Sequence, residues 1–272
     1  MRLKFWIVLI ESFLLLIGAA AIYLAFNIWQ ESNQKSAPQE GMPPVSSVCP
    51  ESLVVGQSRD GLLIEACQLS GSNLIADNTL LVIGTIHGDE PDGVRVVQEL
   101  LDTSQASESS IWILRDGNPD GSLLGTRKNG NEVDINRNFP IKWVASDPTA
   151  RTYSGPSPAS EPETQALMNA VRTIQPTLIV VFHQPFEQID CPPERSTEVS
   201  DRLSQLTGYK SECIPGERSG SPTNSYTGTF TIWVNSTFPE TTAVTFELGV
   251  ETTESQIESI AKALRILASE AA

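Results

Sequence analysis

The chain has 272 residues, enough for one large domain with attachments. Its net charge is -15 at pH 7 and its pI is about 4.5, which excludes a phosphate-binding nucleic-acid surface and adhesion of the folded part to an anionic membrane. An apolar share of 40% leaves ample material for a core even with the apolar N-terminus set aside.

Arg2 and Lys4 precede Phe5 to Asn27, a segment with a single charge, Glu11. A helix crosses a bilayer with roughly 20 apolar residues, so residues 1–29 are expected to be an N-terminal membrane anchor. Arg2 and Lys4 would keep its N-terminus inside, and Trp6, Tyr23 and Trp29 fall near its ends as interfacial aromatics do. The competing reading is a cleaved signal peptide, with small residues at Ala19, Ala20 and Ala21. Either reading exports the rest of the chain, with the folded part on the periplasmic or extracytoplasmic side. Residues 30–48, rich in Ser, Pro and Gln, are expected to be a flexible linker, and residues 49–272 the folded domain. The four cysteines suit an oxidising compartment, and pairing between sequence neighbours is expected, Cys49 with Cys67 and Cys191 with Cys213.

Ser52 to Val55 and Leu62 to Leu69, joined by an Asp60-Gly61 turn, predict a hairpin. Thr79 to Ile86 predicts a buried strand that stops in a loop bearing His87, Gly88, Asp89 and Glu90. Asp89 is expected to cap the next helix, with Pro91 in its first turn and Val94, Val97 and Leu101 on its apolar face. Ile111 to Leu114 is another buried strand. Asp116 to Pro140 is dense in Gly, Asn, Asp and Arg, and a loop of that length inside a compact domain is usually functional. Ser160 to Glu163 has the form of a capping box, opening a helix that buries Leu167, Ala170, Val171 and Ile174. Thr177 to His183 is the next strand, followed by a cysteine-bearing loop and a short helix. Glu217 to Phe230 is a loop containing Tyr226. Thr242 to Leu248 is the last strand. Thr253 and Gln256 cap the final helix, whose face is Ile257, Ile260, Leu264 and Leu267. Strands alternate with helices, so the class is α/β with a largely parallel sheet.

The chain has two histidines, and both close apolar, strand-like runs. That sheet edge is where open α/β folds bind ligands. His87 and Glu90 lie on one turn, and His183 is the other imidazole. His₂Glu with one open position is a catalytic zinc set. A satisfied polar histidine is the bland alternative for either one alone. Glu247 ends the buried strand VTFEL, where apolar surroundings should raise its pKa and suit it to carry a proton. Arg127 and Arg137, with Asn136, suit a carboxylate or a developing oxyanion, unless they pair with Asp134, Asp116 or Glu132.

Taken in order, the segments HGDE, NPDG, TRKN, VDINRNFP, YSGPSPASEPET, the strand-end His183 and FELG resemble the carboxypeptidase A-like zinc metallopeptidase family. The HGDE and NPDG forms are most similar to its bacterial murein peptide amidase branch. The resemblance implies a three-layer sandwich, a mixed and largely parallel sheet with helices on both faces. It implies one Zn²⁺ on His87, Glu90 and His183, Arg127 polarising the scissile carbonyl, and Glu247 as general base and acid. It implies Asn136 and Arg137 gripping a terminal carboxylate, with Tyr226 as the residue that closes over substrate. The implied substrate is a peptide or muropeptide with a free carboxylate, cut at a γ-D-glutamyl to diaminopimelate bond. A general carboxypeptidase on L-peptides, a deacylase of the aspartoacylase and succinylglutamate desuccinylase kind, and an inactive wall-peptide-binding module are the alternatives. The digestive members carry Arg where this chain has Asp89, and they carry a pro-domain that is not expected here. Thr231 lies in the stretch that lines the side-chain pocket of relatives.

Overall fold

The computed structural model describes residues 49, 51–69, 79–103, 111–191, 195–213 and 226–270. The expected anchor and linker lie outside the described residues, among which no helix is long and apolar enough to cross a membrane. The strands are β1 (Glu51–Gln57), β2 (Leu63–Gln68), β3 (Leu80–Ile83), β4 (Ile111–Leu114), β5 (Leu178–His183), β6 (Gln188–Ile189), β7 (Lys210–Ser211) and β8 (Thr242–Glu247). The helices are α1 (Asp92–Asp102), α2 (Pro119–Leu124), α3 (Pro162–Ile174), α4 (Glu198–Thr207), α5 (Phe230–Thr237) and α6 (Glu254–Glu270).

The eight strands form one sheet in the order β1-β2-β4-β3-β5-β8-β6-β7. β4, β3, β5 and β8 run parallel, β1 and β2 pair antiparallel to their neighbours, and β6 pairs antiparallel to β8 and parallel to β7. The chain leaves β3 for β4 on one side and later returns to β5 on the other. The crevice at the ends of β3 and β5 is therefore the topological switch point.

Side chains on a strand alternate between faces, and the core divides accordingly. Leu80, Val82, Val180, Phe182, Val244 and Phe246 pack with residues of α1, α4 and α6. Leu81, Ile83, Ile179, Val181 and Ala243 pack with α3, α5, Ile135 and Phe139. Continuing that alternation puts His183 and Glu247 on the second face, at the ends of their strands. The expected three-layer arrangement is thus present, with both disulfides, Cys49–Cys67 and Cys191–Cys213.

Four local expectations are corrected. Pro91, not Asp89, occupies the N-cap of α1, and Asp89 points to a surface pair with Arg151. Ser160 does not cap α3: that helix starts at Pro162, and Glu163 is buried, accepting from Arg59 N and Asn129 Nδ2. The loop from Asp116 to Pro140 contains α2, capped by Asn118 accepting from Gly121 N. Phe230, expected as the end of a loop, instead opens α5, whose cap Thr229 accepts from Ile232 N. The box at the final helix is present, with Thr253 N donating to Gln256 Oε1 and Gln256 N to Thr253 Oγ1.

Candidate active site

The turn after β3 delivers two of the trio. Glu90 N donates to His87 O at 3.0 Å, and Thr85 Oγ1 donates to the same carbonyl at 2.6 Å. Gly88 makes the turn possible, because a Cβ there would lie 2.0 Å from the backbone carbon of Gly121 on α2. The glycines of HGDE and NPDG therefore pack directly on one another. The third member, His183, is the last residue of β5.

His87 Nδ1, His183 Nδ1 and a Glu90 oxygen converge on one point. Glu90 Oε2 lies 3.0 Å from His87 Nδ1 and 2.8 Å from His183 Nδ1, and the two nitrogens are 3.1 Å apart. Donors about 2.0–2.1 Å from a tetrahedral zinc ion stand roughly 3.3 Å apart, so the set fits such an ion with a small opening. All three side chains are buried.

The outer nitrogens are held as well. His87 Nε2 meets Asp134 Oδ1 at 3.1 Å, and His183 Nε2 meets Asn136 Nδ2 at 3.2 Å. A carboxylate on the far nitrogen fixes ring orientation and raises ligand basicity. Asn136 is fixed in turn by accepting from Phe230 N at 2.9 Å. Gln184 locks the end of β5: its Oε1 accepts from Asp92 N and its Nε2 donates to Gly249 O.

The electrostatics are those of a cation site. Burial pushes Glu90 up, but His87 and His183 outweigh it and hold the carboxyl far below its usual range. Burial likewise pushes Asp134 up, and His87 and Arg127 hold it well down. Burial drives His87 down, yet Glu90 and Asp134 carry it above its usual value. Burial leaves His183 lowered.

Glu247 lies across the cleft. Burial, reinforced by Glu90, pushes its carboxyl up to about 8. Phe186 N–H binds this carboxyl, while the buried Oε2 has no partner. A buried carboxylate oxygen without a donor is placed to receive one from water.

The expected site residues divide by position. His87, Glu90, His183, Glu247, Arg127, Asn136, Tyr226 and Thr231 all line one cleft of about 160 Å³. Arg137 does not line it: its guanidinium lies 5.5 Å from the Tyr226 ring centroid and donates to Asn136 O. Arg127 combines both readings of the sequence. Its Nε donates to Asp134 at 2.8 Å, and its Nη1 reaches Glu90 Oε1 at 3.2 Å and His87 Nδ1 at 3.1 Å. Sequence reasoning missed Asp134 as a partner of His87, Gln184 as a lock, and Arg151 as a lining residue. Asp134 had a signal, two residues ahead of Asn136 in VDINR. The others had none that sequence spacing reveals.

A sheet in this order, with these side chains at its switch point, follows the plan of the zinc carboxypeptidases. The family profile described as zinc carboxypeptidase (Peptidase_M14) matches residues 48–264, and the chain belongs to that family, whose members depend on zinc. Murein peptide amidase A of Escherichia coli K12 is 38% identical over 141 residues, 47% of this chain and 57% of that protein. The Vibrio campbellii protein of the same name is 30% identical over 124 residues, 41% of this chain and 50% of that one. The matched stretches span about half the length of these relatives. The murein-tripeptide amidase MpaA structure from Escherichia coli O157 superposes with a TM-score of 0.66 at 26% identity, covering 85% of this chain and 98% of its own. Carboxypeptidase A from Helicoverpa armigera gives a TM-score of 0.66 at 17% identity, over 83% of this chain and 69% of that one, a likeness of fold alone.

Proposed function

We propose that the protein is a zinc-dependent exopeptidase or amidase that hydrolyses the γ-D-glutamyl to diaminopimelate bond of cell-wall muropeptides. The observation that carries the reading is the meeting of His87 Nδ1, His183 Nδ1 and Glu90 with the partnerless Glu247 Oε2 in one cleft. The muropeptide as substrate is supported by the names of the relatives at 38% and 30% identity.

His87, Glu90 and His183 would hold the ion. Bound there, zinc supplies a Lewis acid that acidifies water and polarises a carbonyl. Glu247 removes the proton from the attacking water and passes it to the leaving amine, a role matched to a carboxyl displaced toward neutral pH. Arg127, braced by Asp134, turns Nη1 to the carbonyl oxygen as charge develops. Asn136 and Arg137 hold the terminal carboxylate of the leaving residue, Arg137 once Tyr226 has moved from its guanidinium. Asp134 keeps His87 presenting Nδ1 inward.

The two disulfides are those of an exported domain. With Arg2 and Lys4 ahead of an apolar segment, they support an enzyme tethered to the membrane on the extracytoplasmic side, within reach of the wall.

The test is a substrate panel assayed with and without chelator. Release of diaminopimelate from murein tripeptide, lost on chelation and restored by zinc, is the expected result. Turnover of ordinary C-terminal L-peptides alone would replace the muropeptide reading with a general carboxypeptidase.

A further inference from the structure

The cleft has a second cation that the mechanism does not use. Arg151 lines it from the loop before α3 and lies 3.6 Å from Asp89. That distance is too long for a good hydrogen bond, and the two side chains are 69% and 35% exposed. Pairs of this kind add little to stability, so the fold does not require the contact. Arg127, the other lining cation, is engaged by Asp134, Glu90 and His87. The remaining charged lining residues, Glu90, Asp190 and Glu247, are acids in a chain of net charge -15. Arg151 is thus the lining cation that can exchange its partner for an anion at small cost.

Its position assigns the anion to one side of the scissile bond. Asn136 touches His183 and the start of α5, and Arg137 touches Asn136 and Tyr226; these groups are proposed to hold the leaving residue. Arg151 is tied instead to Asp89, next to Glu90 on the turn after β3. The two cations approach the trio from different elements, so Arg151 falls to the acyl side. An α-linked acyl residue has no carboxylate of its own there unless its side chain is acidic. A γ-linked glutamyl residue keeps its α-carboxylate free a few carbons from the scissile carbonyl.

We propose that Arg151 determines specificity by binding a free carboxylate on the acyl residue, which displaces Asp89. The inference rests on the hydrolase reading of this cleft and deepens it to a substrate that is anionic on both sides of the amide.

The test compares the γ-D-glutamyl substrate with its α-carboxamide, identical except for that charge. The wild-type enzyme should favour the carboxylate by about tenfold or more in kcat/KM, chiefly through KM. Arg151→Ala should bring the ratio to within about twofold, and Asp89→Asn, which removes the competing carboxylate, should raise it. Equal use of both substrates by the wild type, or an equal loss on both in Arg151→Ala, would overturn the assignment. If neither γ-linked substrate is cleaved but L-peptides are, the muropeptide reading fails on its own. The same ratio is then taken with Glu against Gln at the acyl residue, and loss of a Glu preference in Arg151→Ala still supports the role. If no substrate turns over, the Kd values of the matched pair on Glu247→Gln replace kcat/KM, with the same ratio expected and the same equality overturning it.

Discussion

His183 and Glu247 are register partners, the last residues of the adjacent parallel strands β5 and β8. One is placed to hold a cation and the other to move a proton. Their separation is fixed by backbone ladder bonds rather than by loops. Sites built on strands hold their geometry more closely than sites built on loops.

Glu247→Gln keeps the shape and removes the base. Its kcat should fall by about 10²–10⁴-fold with zinc content unchanged. In the wild type, kcat should rise with pH as Glu247 loses its proton. The bound cation should bring that limb below the value of about 8 set by burial and Glu90 in the metal-free cleft. The limb should be absent from the residual activity of the variant.

The same carboxyl makes metal-free stability depend on pH. Glu247 is raised to about 8 in the folded chain, above its ordinary value of 4.5. Between these values the folded state binds the proton and the unfolded state has lost it. Glu247 therefore favours folding fully at the acid end, and this contribution is lost as pH rises through about 8. Thermal melts of the metal-free protein should show a steeper fall in Tm from pH 5 to 8 in the wild type than in Glu247→Gln.

Asp134 acts through His87 and Arg127 and does not itself meet substrate. Asp134→Asn should weaken zinc binding by about 10–100-fold, read by competition with a chelator. Saturating zinc should restore occupancy but not full kcat, because Arg127 has also lost its brace.

Gly88→Ala puts a methyl group 2.0 Å from the Gly121 backbone. The turn must move, at a cost of about 3 kcal/mol in stability by denaturant unfolding. Zinc affinity should fall with it, since the same turn sets His87 against Glu90.

The sheet and the trio were legible because their signals are local and redundant. LLVI and LIVVFH are apolar runs; the second ends at His183, and the first leads to His87 four residues beyond Ile83. The helices that were missed had signals pointing elsewhere. FTIWVNST is rich in β-branched and aromatic residues, which favour strands, yet Thr229 caps it and Phe230, Trp233 and Val234 bury it against the second face of the sheet. α2 has six residues and begins Pro-Asp-Gly, too short and too turn-like to stand out from its loop. Ser160-Glu-Pro-Glu163 matched a capping pattern, but Glu163 was drawn away by Arg59 and Asn129, over a hundred residues and over thirty residues distant in sequence. Arg151 reaches the cleft through tertiary placement alone.

The most direct measurement is the zinc content of the purified protein beside that of His183→Ala, with activity followed on the same samples. One zinc per wild-type chain, little in the variant, and activity that disappears with chelation and returns with zinc are the expected results. Full activity in a protein stripped of metal, or equal zinc content after loss of His183, would contradict the assignment of this trio as the metal centre.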